Sequence, residues 1–101
     1  MSREITSRAG TVVVVLDGDT HAGNQLACRL LAEGCRVAVI GHHAESLVRV
    51  THGHPAQRVL AIVGDVADHR QWARIVQRVT ERFGVMDTIV RAEASTVRAV
   101  A

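Results

Sequence analysis

Hydrophobic residues cluster into short runs along this chain, and segments with a different period separate the runs. Four runs, at 11–16, 36–40, 59–63 and 86–90, are rich in apolar and β-branched residues and lack the polar alternation of a half-exposed strand. Such runs are typical of strands buried on both faces of a parallel sheet. The pattern therefore predicts four buried strands.

Amphipathic helices are predicted between these strands. The clearest spans 68–83, where one face is apolar and the opposite face is rich in arginine. Asp68 is placed to be its N-cap, and Gly84 to be the left-handed residue after its last turn. Two shorter stripes end at Gly34 and Gly53. The apolar positions of the three stripes are Leu26, Ala27, Leu30 and Leu31, then 47–50, then Trp72, Ile75, Val76, Val79 and Phe83.

The resulting element order, β-α-β-α-β-α-β, predicts an α/β fold. Because crossovers between parallel strands are right-handed, we expect a four-stranded parallel sheet of order 3-2-1-4 and three helices, arranged in three layers. This arrangement corresponds to one half of a Rossmann-like fold. Ligands of such sheets bind at the carboxyl ends of the strands. The segments predicted to lie there are 17–23, 41–43, 64–66 and 91–94.

Length and composition indicate a single globular domain. The chain has 101 residues, of which 48% are hydrophobic and 22% charged, and one domain typically needs about 100 to 150 residues. We expect residues 1–10 to be a flexible N-terminal segment and 11–101 to be the domain. Its only aromatic residues, Trp72 and Phe83, complete an apolar helical stripe and are predicted to be core.

Two residue types are absent from the sequence, and their absence excludes several chemistries. All twelve basic residues are arginines, and there is no tyrosine. No lysine Schiff base, lysine phosphate clamp or phenolic acid is therefore available. A phosphoacceptor receiver domain, which also carries acids at strand ends, would need a lysine and a fifth strand. Cys28 and Cys35 are predicted to be reduced, packed thiols.

Charge distribution and the N-terminal residues argue against two classes of partner. The arginines are spread from Arg3 to Arg98 among ten acidic residues, with a net charge of +2, so we predict no nucleic-acid binding. The first ten residues are polar, and the apolar run at 12–16 is too short for a signal peptide or a membrane span. We therefore expect a cytoplasmic protein that does not bind membranes.

The six histidines raise the question of a metal site. His52 and His54 precede the third strand and so fall at the opposite edge from His21 and His42. A shared ion would have to span the sheet, which short zinc–ligand bonds do not allow. We predict no metal site, although a cluster of His21, His42 and Asp19 is left open for the geometry to decide.

The segments at the strand ends resemble, in order, the cofactor half of the short-chain dehydrogenase/reductase family. Residues 12–39, VVVVLDGDTHAGNQLACRLLAEGCRVAV, are similar to that family's first β-α-β unit. Gly64-Asp65-Val66 resembles the family's D-V after strand three. The segment 82–90, RFGVMDTIV, resembles its R-F-G-x-L-D-x-L-V before strand four. The resemblance covers nearly the whole chain.

The departures from the family pattern fall at the cofactor loop and after strand four. In the loop motif T-G-x-x-x-G-x-G only Gly18 and Gly23 align, the loop reads as one residue short, and Asp17 and Asp19 bring carboxylates beside the pyrophosphate position. Asp19 or Thr20 would instead cap the following helix. The family's N-N-A-G becomes Arg-Ala-Glu-Ala at 91–94.

The resemblance implies NADP or NAD as the cofactor, with weak or lost binding. Asp65 would meet the adenine amino group, and His42 stands where NADP-binding members place an arginine. A neutral or partly charged histidine would favour NADP only weakly. The candidate cofactor-binding residues are Gly18, Thr20, His21, Gly23, His42, Asp65, Val66 and Ala92.

No catalytic residue is predicted. The family's Tyr-x-x-x-Lys lies beyond strand four, and this chain stops at Ala101. We expect a truncated domain that is not active alone and serves as a nucleotide-binding or assembly module. The alternatives are the cofactor-binding fragment of an NAD(P)-dependent oxidoreductase that needs a second chain or C-terminal half, and a ligand-free interaction domain. The expected partner is a second copy or a longer dehydrogenase-like chain at the strand-four edge.

Overall fold

Strands and helices alternate along the chain in a computed structural model that describes residues 10–91. Most of the expected flexible segment, 1–10, lies outside the described residues. The strands are β1 (Val12–Leu16), β2 (Arg36–Gly41), β3 (Val59–Val63) and β4 (Thr88–Arg91), and the helices are α1 (His21–Ala32), α2 (Ala44–Thr51) and α3 (His69–Phe83).

The strands form one parallel sheet of order β3-β2-β1-β4, which confirms the predicted topology. Val14 of β1 aligns with Ala38 of β2 on one side and with Ile89 of β4 on the other. The chain reverses direction between β1 and β4, so the carboxyl ends of these two strands border the crevice expected of such a sheet.

Two apolar layers hold the helices to the sheet. Helices α1 and α2 cover one face, where Val13, Val15, Val37 and Val39 are fully buried. Helix α3 covers the other face, and its buried side chains are Ile75, Val79 and Phe83. Trp72 packs against this second layer while partly buried. Phe83 is thus a core residue, as predicted, whereas Trp72 lies at the margin of the core.

The ends of α3 follow the sequence signals. The Asp68 carboxylate accepts hydrogen bonds from the backbone N–H groups of Arg70 and Gln71, at 2.9 and 3.1 Å. Gly84 has a φ of 87°, and its N–H donates to the carbonyl of Thr80 at 2.7 Å. A residue with a Cβ would be strained in that conformation, which explains why glycine ends the helix.

Strand β4 starts later than the sequence predicted, at Thr88 rather than at 86. The Asp87 carboxylate, not a backbone carbonyl, accepts the N–H of Val12 at 2.8 Å, while the N–H of Asp87 donates to the Val12 carbonyl at 3.0 Å. A side chain therefore replaces the first rung of the β1–β4 ladder.

Arginine side chains donate hydrogen bonds to backbone carbonyls near the amino ends of the strands. Arg36 donates to the carbonyl of Phe83 at 3.1 Å and lies over its ring, 5.6 Å from the ring centroid. Arg58 donates to the carbonyls of Leu31 and Cys35.

Cys35 is fully buried, and Cys28 is partly buried. Within residues 10–91 no helix is long and apolar enough to cross a membrane.

Candidate functional site

The candidate site lies at the carboxyl ends of the strands, where four loop segments meet. They are the β1–α1 loop at 17–20, residues 42–43 after β2, residues 64–68 after β3, and Arg91 at the end of β4. Backbone hydrogen bonds join two of them to the end of β2: Gly18 N–H donates to the carbonyl of Ile40 at 2.8 Å, and Gly64 N–H to that of Gly41 at 2.9 Å.

The loop begins with a left-handed residue, Asp17, whose φ is 55°. This conformation normally favours glycine. Counted from Asp17 rather than Gly18, the distance to Gly23 equals that between the first and last glycines of T-G-x-x-x-G-x-G. The loop therefore has full length, which corrects the expectation that it is one residue short, and Asp17 and His21 stand at the first two glycine positions.

The local geometry requires glycine at position 23. A Cβ built there would lie 2.1 Å from the carbonyl oxygen of Asp17, far inside van der Waals contact. Thr20 tightens the same turn, because its hydroxyl donates to that carbonyl at 2.7 Å and accepts from Gly23 N–H at 3.0 Å. Thr20 is therefore the N-cap of α1.

Gly18 allows the loop to pack closely against β2. A Cβ on Gly18 would lie 2.8 Å from the Cβ of Val39, so this position also excludes a larger residue. Gly18 and Gly23 thus have structural reasons to be glycine whether or not a ligand binds.

Asp17 forms an ion pair across the crevice with Arg91. The guanidinium Nη1 lies 2.5 Å from the carboxylate Oδ2, and the side chains of Asp17 and Arg91 are 32% and 41% exposed. Each residue replaces a small or neutral one in the family pattern, and the two replacements are complementary in charge. The sequence held no local signal for this pair, because its members are 74 positions apart.

Asp19 does not cap α1, which was one of two predicted options, but crosses to the loop after β2. Its Oδ2 accepts the backbone N–H groups of His42 and His43, at 2.7 and 2.9 Å, and lies 2.9 Å from Nδ1 of His43. The carboxylate rests against the Cα of Gly41, where a built Cβ would be 2.5 Å away. Only glycine at 41 leaves room for it.

These contacts govern the protonation of Asp19, whose side chain is 7% exposed. Burial by itself would raise the pKa of this carboxyl. The hydrogen bonds from His42 and His43 outweigh burial, and the pKa of Asp19 lies below its ordinary value. The carboxylate is therefore ionised near neutral pH.

Asp65 and Val66 follow β3, the outer strand on the other side of the sheet from β4. The Asp65 Oδ1 accepts from Ala67 N–H at 2.9 Å, and its own N–H donates to the side-chain oxygen of Gln71 at 2.7 Å. Within the described part of the chain the second carboxylate oxygen, Oδ2, has no hydrogen-bond partner. Val66 packs partly buried against the α3 layer.

The two histidines predicted to bind the cofactor both have exposed side chains. His21 is the first residue of α1, and His42 follows β2; both side chains are exposed. Among residues 10–91 no group of three or more His, Cys, Asp or Glu side chains is placed to hold a metal ion, so His21, His42 and Asp19 form no such cluster there. Ala92, the remaining candidate, lies outside the described residues.

Asp65 and the start of α1 offer different groups to a ligand. Asp65 offers a carboxylate oxygen to a hydrogen-bond donor such as an amino group. At the start of α1, the Asp17 carboxylate is paired with Arg91, and the Thr20 hydroxyl has taken the N–H of Gly23. An anionic group placed there would compete with the Asp17 carboxylate for Arg91.

Comparison with known proteins agrees with this architecture. The family model described as short chain dehydrogenase matches residues 11–98. The chain is 36% identical over 81 residues to cis-2,3-dihydrobiphenyl-2,3-diol dehydrogenase of Paraburkholderia xenovorans, covering 80% of this chain and 29% of that protein.

Solved structures show the same fold. Levodione reductase superposes with a TM-score of 0.72 at 33% identity, over 81% of this chain and 34% of the other. The 3-ketoacyl-(acyl-carrier-protein) reductase of Brucella melitensis, solved in complex with NADH, gives a TM-score of 0.75 at 20% identity, over 80% and 33%. The latter likeness concerns the fold alone.

The chain spans about three tenths of the length of the first curated relatives it matches. The match falls on the β-α-β units that carry the cofactor loop, and the strand order and helix placement agree with it. Family model, relatives and fold together show that the chain belongs to the short-chain dehydrogenase family and corresponds to its N-terminal Rossmann portion.

Proposed function

We propose that this chain is a nucleotide-binding module that holds the adenosine end of NAD(P) and is not a dehydrogenase by itself. The proposal rests on the contrast between the two ends of the crevice. Asp65 keeps a carboxylate oxygen without a partner among residues 10–91, whereas at the start of α1 the Asp17 carboxylate is paired with Arg91 and the Gly23 N–H is bonded to Thr20. The phosphates should therefore add little to the affinity.

The choice of nucleotide follows from the residue after β2. His42 is exposed and stands where the resemblance places the arginine of NADP-binding members. An imidazole N–H can donate a hydrogen bond to a 2′-phosphate, so NADP is the proposed dinucleotide and NAD the alternative. Gly18, Thr20, His21, Gly23, Val66 and Ala92 would complete the contacts.

The chain alone is proposed to be non-catalytic because these 101 residues contain neither tyrosine nor lysine. The family's Tyr-x-x-x-Lys pair would have to come from another polypeptide segment for hydride transfer to occur. Cys28 and Cys35 form no disulfide in the described part of the chain, which is compatible with the cytoplasmic location that is part of the proposal.

Calorimetric titration with adenosine, ADP and NADP tests this function. We expect adenosine to bind at least as tightly as ADP. Asp65→Asn keeps an oxygen for Ala67 N–H but presents an amide NH2 to the adenine amino group, and should weaken adenosine binding about tenfold, the usual scale for losing a charged hydrogen bond. Glu33→Gln, on the exposed end of α1, is the matched charge control.

Asp17→Gly tests the other half of the proposal. The substitution restores glycine at a left-handed position and removes the carboxylate that pairs with Arg91. We expect the affinity for ADP and NADP to rise relative to adenosine. If neither the natural protein nor Asp17→Gly binds any of the three at millimolar concentration, nucleotide binding is rejected.

A second candidate function, assembly with another chain, is favoured by a specific surface. Within residues 10–91, β4 pairs only with β1, and Ile89 on β4 is 46% exposed. Ile89 lies on the same face of the sheet as Val14, beside α3. A second copy, or a longer dehydrogenase-like chain, would cover this edge.

A further inference from the structure

Helix α3 carries a line of arginines that the nucleotide site does not use. Arg70, Arg74, Arg78 and Arg82 follow one another at intervals of four residues and are all exposed. Residues four apart lie on one side of a helix, so the four side chains form a single stripe, called here the arginine stripe.

Few neighbouring groups in the described part of the chain neutralise the positive charge of the arginine stripe. In the part of the chain that the structure describes, the guanidinium groups of Arg70, Arg74 and Arg78 make no ion pair or hydrogen bond. Glu81 lies near the end of the stripe, where it accepts a hydrogen bond from Gln77 at 3.1 Å. Like charges at this spacing repel, and cations in the first turns of a helix oppose its dipole. The stripe therefore projects a positive potential outward.

The stripe borders the outer edge of β3. One groove of about 250 Å³ is lined by Ile62, Val63 and Gly64 of the strand region and by Arg74 and Arg78 of the helix. A second groove continues along the strand between Leu60 and Arg78, Glu81 and Arg82. Arg78 thus lies beside both grooves, at the middle of the edge.

The strand at this edge is able to accept another strand. Among residues 10–91, β3 pairs only with β2, so alternate backbone N–H and C=O groups point outward without a strand partner. Val63, at the end of β3, is 56% exposed. An extended segment could add to the sheet here through main-chain hydrogen bonds.

The spacing of the arginines matches the spacing of side chains on one face of an extended segment. Arginines four residues apart are separated by about 6 Å along the helix axis. Side chains at alternate positions on one face of a β-strand are separated by about 6.6 Å. Acidic residues at every second position would therefore lie opposite successive arginines.

We propose that the β3 edge and the arginine stripe together form a docking site for an extended acidic peptide segment of a partner protein, with Asp or Glu at alternate positions. The main chain of that segment would extend the sheet at β3, and its carboxylates would pair with Arg74 and Arg78. A nucleic acid is disfavoured because Phe83 is buried and Trp72 is packed against the core, which leaves no aromatic platform for stacked bases.

Fluorescence anisotropy with two labelled peptides of identical composition tests the proposal. One alternates Glu with Thr and Val, and the other has its glutamates in a single block. We expect the alternating peptide to bind at least about tenfold more tightly, since only it can pair and hydrogen-bond at once. Added salt should weaken its binding. An N-methylated alternating peptide keeps its charges but loses main-chain donors, and it should not bind.

Variants locate the interaction. Arg74→Gln with Arg78→Gln should abolish the preference for the alternating peptide, whereas the matched exposed arginine on α2, Arg49→Gln, should leave it unchanged. Circular dichroism verifies that each variant is folded, and slowed amide exchange at 59–63 should accompany binding. Equal binding of the two peptides, retained binding of the N-methylated peptide, or tighter binding of a single-stranded oligonucleotide would overturn the proposal.

Discussion

At the residue scale, Asp19 ties two loops of the candidate site together. Its carboxylate accepts the backbone N–H groups of His42 and His43 ahead of α2, and no residue larger than glycine fits beneath it at 41. His43, the N-cap of α2, makes no side-chain capping bond of its own. A residue from the β1–α1 loop thus accepts the N–H of the N-cap residue, one of the groups for which the helix itself offers no partner.

The lowered pKa of Asp19 predicts a pH dependence of stability. Because the folded pKa lies below the unfolded one, the carboxylate contributes stability above about pH 4, and this is lost as the pH falls through both values. Asp19→Asn should therefore lower the free energy of unfolding by about 1–2 kcal/mol at neutral pH.

Urea unfolding across the acid range measures this effect. The difference between the natural protein and Asp19→Asn should shrink as the pH falls below about 4, while Glu33→Gln shows no such convergence. A difference between the two proteins that does not vary with pH would contradict the role given to the ionised carboxylate.

At the element scale, the start of α1 depends on a close contact between a helix and the loop before it. Thr20 caps the helix and braces the carbonyl of Asp17, and Gly23 packs directly on that carbonyl. The helix can approach β1 this closely only because position 23 has no side chain. The same packing persists without a ligand, so the glycine is explained by the fold.

Gly23→Ala should therefore destabilise the protein by about 2 kcal/mol or more, because the new methyl group would strike backbone that has little room to move. Gly84→Ala is the matched control, since its left-handed φ is unfavourable but its surroundings are open. That variant should cost about 1 kcal/mol. Thermal unfolding compares the two, and an equal or smaller loss for Gly23→Ala would refute the close contact.

At the scale of the whole molecule, the sheet is covered unevenly. Both faces near β1 and β2 are fully buried, whereas Ile89 on β4 and Val63 on β3 remain exposed. The two outer strands therefore offer different surfaces. Ile89 presents an apolar side chain beside α3, and β3 presents its edge beside the arginine stripe.

If Ile89 belongs to an assembly surface, sedimentation velocity should show association that increases with concentration. Ile89→Asp should raise the dissociation constant about tenfold or more, because burying one isoleucine is worth about 1.5–3 kcal/mol. Val48→Asp, at a site of nearly equal exposure on α2, should have no effect. A natural protein that stays monomeric at every concentration would rule out self-association.

Strand order, helix ends and core could all be predicted from the sequence because their signals are local or periodic. The apolar runs fixed which segments become strands, and Asp68 and Gly84 marked the ends of α3 within one turn. The right-handed crossover then left one arrangement of the sheet.

The candidate site could be predicted only in part. The sequence located the loops, because all of them follow parallel strands, but it offered Asp19 as one of two caps for α1 and gave no signal for the partner of Asp17. The left-handed φ of Asp17, its pairing with Arg91 and the reach of Asp19 to His42 and His43 depend on distances between loops far apart in the chain. Sequence by itself determined the fold and the position of the crevice, since periodicity and glycine act locally. Tertiary structure decided which charges meet there, because folding alone brings residues of distant strands within hydrogen-bonding range.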